Sequence, residues 1–140
     1  MLRDAATKIY LEDDRNCAES TFMAICAQYG LAVSEEEIKV IGGFGGGMSC
    51  GRTCGALCGA VGALGKMLIK TKAHETEELK SVCGRMVELF TKKLGSTECS
   101  ELRARFVAPG RRCAATVELA CDAFEALMAE EKEKEESGKA

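Results

Sequence analysis

The stretch TCGALCGAVGALGKMLIK, Thr53 to Lys70, is apolar on every side once it is wound as a helix. Cys54, Leu57, Cys58, Val61, Leu64 and Leu68 share one face, Gly55, Gly59 and Gly62 the next, and Ala56, Ala60 and Ala63 the far side. A helix with no polar stripe is buried all round, and its small residues let neighbours approach closely, which offsets the propensity cost of glycine. The segment therefore predicts the central helix of the fold.

Working outward, Asn16-x-x-Glu19 forms a capping box and Gly30 suits the position just past a helix end, which predicts a helix over about 17–29. Its stripe is Ala18, Phe22, Ile25, Cys26 and Tyr29. Ser34-x-x-Glu37 opens a second, short helix that ends in the tract Gly42-Gly43-Phe44-Gly45-Gly46-Gly47, where glycine supplies the positive φ of a chain reversal. Beyond the central segment, Leu79, Val82, Cys83, Met86, Val87, Phe90 and Leu94 make one stripe of a helix from Glu75 to Leu94, closed by Gly95. Ser96-Thr97-Glu98-Cys99 predicts a short helical turn. The last helix, about Arg111 to Ala129, buries Val117, Ala120, Cys121, Phe124, Leu127 and Met128, and the charged run from about residue 130 is expected to fray. Residues 1–16 hold no apolar stretch and receive no element. No segment alternates like a strand and no repeat is evident. The expected fold is all-α, an antiparallel bundle of about four to five helices in a single domain over residues 1–140.

A chain of 140 residues can bury a sizeable core without crosslinks or metals, so a bound group would serve function first. Its net charge of −3 gives neither a nucleic-acid footprint nor a polybasic membrane anchor. Trp is absent and aromatics are only 5 %, which leaves no stacking platform for single strands. The longest uncharged run after Arg52, Thr53 to Gly65, is too short and too rich in glycine to insert in a membrane. The N-terminus does not read as a signal peptide, so the protein is expected in the cytoplasm. Nucleotide binding is also excluded: the glycine tract holds no Gly-x-Gly-x-x-Gly, and Gly65-Lys66 is followed by Met67 rather than Ser or Thr.

Nine cysteines remain to be explained. In a reducing compartment they point to metal binding or redox chemistry rather than to structural disulfides. Cys26, Cys83 and Cys121 lie mid-stripe and read as small core hydrophobes. Cys17, Cys54 and Cys113 fall in or near the first turn of a helix, and Cys99 follows a cap. At those places unpaired backbone N–H groups are expected to stabilise a thiolate, the form needed for iron or zinc ligation and for disulfide exchange. In one continuous helix Cys50 and Cys58 would stand about 12 Å apart along the axis, too far to share a small site. The central helix starting near Thr53 leaves Cys50 on a loop, able to fold back towards Cys54. There is no C-x2-C zinc-ribbon spacing and no C-x-x-C-H for covalent haem, so haem c is not expected.

Asn16-Cys17-Ala18-Glu19, Phe44-Gly45-Gly46-Gly47-Met48, Thr53-Cys54-Gly55-Ala56-Leu57-Cys58-Gly59-Ala60, Gly95 with Cys99-x-Glu101-Leu102, and Cys113 together resemble the C_GCAxxG_C_C family of redox-active proteins over about residues 16–125. The family's four cysteines map to Cys17, Cys54, Cys99 and Cys113. The resemblance implies redox activity, and the family is similar to a haem protein with an iron–sulfur centre. This chain adds Cys26, Cys50, Cys58, Cys83 and Cys121, of which Cys50 and Cys58 are alternative ligands or resolving thiols.

Three chemistries compete for these residues. An iron–sulfur cluster on Cys17, Cys54, Cys99 and Cys113 would carry electrons to a redox partner protein. A metal-free thiol and disulfide system would use Cys54 as attacking thiolate, with Cys17, Cys50, Cys58 or Cys113 among its redox thiols. A four-thiolate zinc site would be closed and serve folding. Arg52, Arg111 and Arg112 read as solvated charge that could also stabilise a thiolate. His74, the only histidine, sits in a polar stretch and reads as a surface residue. Hydrolase chemistry has no support, and a homo-oligomer is compatible with the composition.

Overall fold

A computed structural model describes residues 1–138. The chain is an all-α bundle, with seven α-helices and no strand among the described residues. These are α1 (Leu2–Glu12), α2 (Cys17–Gln28), α3 (Glu35–Gly42), α4 (Gly55–Leu68), α5 (Leu79–Leu94), α6 (Cys99–Phe106) and α7 (Ala114–Gly138). Helices α1, α2, α4, α5 and α7 are the long ones and meet in one core that includes Phe22, Ile25, Leu64, Met86, Phe90, Val117 and Phe124. Helix α4 packs on α2, α5 and α7, as its apolar surface requires.

Local signals act as read. Asn16 Oδ1 accepts from the Glu19 N–H at 2.9 Å while Glu19 Oε1 accepts from the Asn16 N–H at 3.0 Å, and Ser34 with Glu37 repeats the arrangement at α3. Gly95 closes α5 with φ +88°.

Other expectations need correction. Helix α4 is not buried evenly: Ala56, Gly59, Ala60 and Ala63 are in the core, while Cys58, Val61 and Gly62 are half-buried. The glycine side is the tight one, because a Cβ on Gly59 would collide with the backbone carbonyl of Ala18 in α2. Cys26 and Cys121 are fully buried as expected, but Cys83 is only half-buried at the edge of its stripe. The short turn expected at Cys99 is an eight-residue helix, and His74 lies exposed in a separate 3-10 turn, Ala73–Glu75.

At the chain ends the differences are larger. Helix α1 exists, with Leu2, Ala6 and Tyr10 buried at four-residue spacing against the core. It is tied to α7 by Arg3 and Asp122 at 3.1 Å and by Thr7 and Glu118 at 3.2 Å. The charged run from Glu130 continues α7 to Gly138, and Glu130 pairs with Arg85 of α5 at 2.7 Å.

Candidate functional site: four cysteines on one cavity

The glycine tract does not reverse on glycine alone. Gly46, Gly47, Met48 and Ser49 have φ of 65°, 63°, 60° and 61°, a left-handed turn that costs an ordinary L-residue about 1–2 kcal/mol. Backbone bonds hold it: the Arg52 N–H donates to Gly47 O at 2.9 Å, and the Cys99 N–H donates to Arg52 O at 2.5 Å. The Cys54 N–H donates to Thr97 O at 2.7 Å, so the segments around Thr53 and Glu98 form one antiparallel bridge. That bridge places the start of α4 beside the start of α6, and with them Cys54 beside Cys99.

Cys17 joins from the first position of α2. Its Sγ lies against the α-carbon of Gly55, where a Cβ would come within 2.5 Å of the sulfur. Asn16, which starts that helix, also donates from Nδ2 to Gly42 O at 2.9 Å and so ties it to the glycine tract. The fourth cysteine, Cys113, precedes α7 after the turn bridged by Ala108 and Arg112, and its N–H donates to the Tyr10 hydroxyl at 3.1 Å.

All four helix-start cysteines line one cavity of about 270 Å³, together with Tyr10, Asn16, Gly46, Leu102, Arg103, Val107, Arg112 and Thr116. The order of these cysteines along the chain is that of a known family. A family model described as "Putative redox-active protein (C_GCAxxG_C_C)" matches residues 15–127. The chain belongs to the C_GCAxxG_C_C family. No curated protein and no solved structure matches it.

Two cysteines that this C_GCAxxG_C_C chain carries in addition stay out of the cavity. Cys50 is exposed after the left-handed turn, with its thiol directed to Gly47 O at 3.7 Å rather than folded back to Cys54. Cys58 lines a separate apolar groove with Ile41, Phe44, Leu57 and Val61.

Electrostatics at the C_GCAxxG_C_C site reverse one expectation. Helix starts were expected to lower the thiol pKa, yet burial pushes the Cys54 thiol from 9.0 up to about 12, against the opposing pull of the Leu57 and Ala56 amides. Burial first, and then the neighbouring Cys17, also raise Cys99 and Cys113, while Arg103 acts in the opposite direction on both. Cys58 is raised by the same two causes. Desolvation therefore wins, and Cys54, Cys99 and Cys113 are neutral thiols at neutral pH.

The basic residues sort unevenly. Arg112 lines the cavity, stacks over the Tyr10 ring at 4.3 Å and donates to Tyr10 O at 2.6 Å. Arg111 instead pairs with Glu118, and Arg52 contributes its backbone. Sequence reasoning missed Arg103 and Tyr10, which face the cavity with no carboxylate among its lining residues. The four-residue spacing of Leu2, Ala6 and Tyr10 was the signal for the second. Among the described residues no group of three or more His, Cys, Asp or Glu is arranged to hold a metal ion, and no helix is long and apolar enough to cross a membrane.

Proposed function

We propose that the redox activity of this family is carried here by an iron–sulfur cluster on Cys17, Cys54, Cys99 and Cys113, which passes electrons to a partner protein. The observation behind this reading is the meeting of four cysteines from four helix starts on one cavity. When bound, such a cluster supplies a centre that takes up and gives back one electron, at a potential set by burial and by hydrogen bonds to its sulfurs.

The residues suit that group in three respects. Four cysteines from separate helix starts match the number of thiolates that iron–sulfur clusters take as ligands. Buried thiols such as Cys54 are poor nucleophiles while protonated, but a coordinating metal deprotonates them outright and replaces the lost proton with positive charge. Arg103 and Arg112 face the sulfurs without competition from any lining carboxylate, so they offset the negative charge that four thiolates bring. A zinc site gains less support from the same geometry.

Metal-free thiol and disulfide exchange is the second reading. It rests on the same four free thiols sharing a cavity, and it is weakened at Cys54 by the raised pKa.

Purification without oxygen, followed by iron, sulfide and visible-absorption measurement, decides between them. Brown protein with matching iron and sulfide, both lost in Cys54→Ala, is the expected result. Colourless protein that cannot be reconstituted, and that loses two or four thiols on mild oxidation, overturns it in favour of exchange.

A further inference from the structure

We infer that Tyr10 is a hydrogen-bond donor to the sulfurs of the four-cysteine centre and raises its reduction potential. The inference rests on the cluster reading above and adds a residue from α1, which lies outside the matched region 15–127.

Tyr10 is 5 % exposed, and its hydroxyl oxygen already accepts the Cys113 N–H at 3.1 Å. A phenol that accepts one bond still has its own proton to place. Among the described residues the hydroxyl has no acceptor for that proton, sulfur included, although Tyr10 lines the same cavity as the four cysteines. A cysteine sulfur that binds iron as a thiolate, its proton released to solvent, is an acceptor of the kind this buried donor lacks. Cys113, whose amide meets the hydroxyl, is one such candidate.

The donor is held in place from three sides. Arg112 stacks on the ring and bonds the Tyr10 carbonyl, Arg3 and Thr7 fix α1 on α7, and Thr116 Oγ1 donates to Cys113 O at 2.7 Å. These contacts fix the Tyr10 backbone and cover its ring on the cavity side of α1. Reduction by an external one-electron carrier adds one negative charge to the centre, with no covalent bond formed or broken and with the phenol proton kept on its oxygen. A donor to sulfur favours the more negative, reduced state, and so lifts the potential.

The test is a redox titration, followed by visible absorption, of full-length protein reconstituted without oxygen with iron and sulfide. Tyr10→Phe keeps the ring under Arg112 and removes only the hydroxyl. It is expected to hold the same iron and to shift the redox equilibrium about tenfold towards the oxidised form, about 59 mV lower for one electron. An unchanged midpoint with full iron content overturns the inference and leaves the cluster reading standing. Wild-type protein that takes up no iron overturns both. Should Tyr10→Phe fail to load, ring-fluorinated tyrosine incorporated in a Tyr29→Phe background decides, because it keeps a hydroxyl that donates more strongly. A raised midpoint then supports the inference, and an unchanged one overturns it.

Discussion

Cys121 in α7 and Cys26 in α2 have none of their surface exposed, and burial pushes their thiols from 9.0 up to about 12 and about 11. The folded chain keeps those protons while the unfolded chain releases them above the ordinary thiol value. Stability is thus complete below that value and falls as pH rises through the window towards about 11 for Cys26 and about 12 for Cys121. Each thiol contributes a loss of roughly 1.4 kcal/mol per pH unit inside its window. Urea unfolding of the reduced protein should give a lower midpoint at about pH 10 than at about pH 8, and equal midpoints would contradict this. The same physics explains why the charge state of Cys54 was misread from sequence. A helix start is visible in a few neighbouring residues, whereas the walls that desolvate the thiol come from α1, α6 and α7.

Between elements, the α2 and α4 contact is the tightest place in the bundle, where Gly59 meets the backbone of Ala18 and Phe22. Gly59→Ala must push the two helices apart and is expected to cost about 1–3 kcal/mol. Gly84 on the exposed side of α5 has nothing within 4 Å, so Gly84→Ala should stabilise by about 0.5–1 kcal/mol. Thermal melts of the two variants should therefore move in opposite directions. Elements whose ends depend on neighbouring residues could be read in advance: the boxes at Asn16 and Ser34 and the stop at Gly95 needed nothing beyond four residues. Helix α1 could not be, since Leu2, Ala6 and Tyr10 make a thin stripe whose helix is sustained by packing on α7. Nor could the left-handed turn at Met48 and Ser49, which ordinary propensity disfavours and which the bond from the Arg52 N–H to Gly47 O closes. The four cysteines were each placed at a helix start from sequence, but their meeting depends on the bridge between Thr53 and Glu98, a tertiary contact.

Across the whole molecule, Phe124 sits where the long helices meet, fully buried and edge-on to Tyr29 at 5.7 Å between centroids. Phe124→Ala is expected to remove about 3–5 kcal/mol, against a total of roughly 5–15 kcal/mol for a typical domain. Chemical denaturation should show the midpoint fall with little change in slope, and a loss below 1 kcal/mol would place the centre of the core elsewhere. The bond between Tyr10 and Cys113 has one further consequence, for biosynthesis. It joins positions 103 residues apart, so the cavity has no complete wall until both Tyr10 and Cys113 have left the ribosome. Cys17 and Cys54 emerge long before their companions and spend that interval as ordinary thiols on an unfinished polypeptide. The four cysteines can therefore act as one set only after Cys113 has been made.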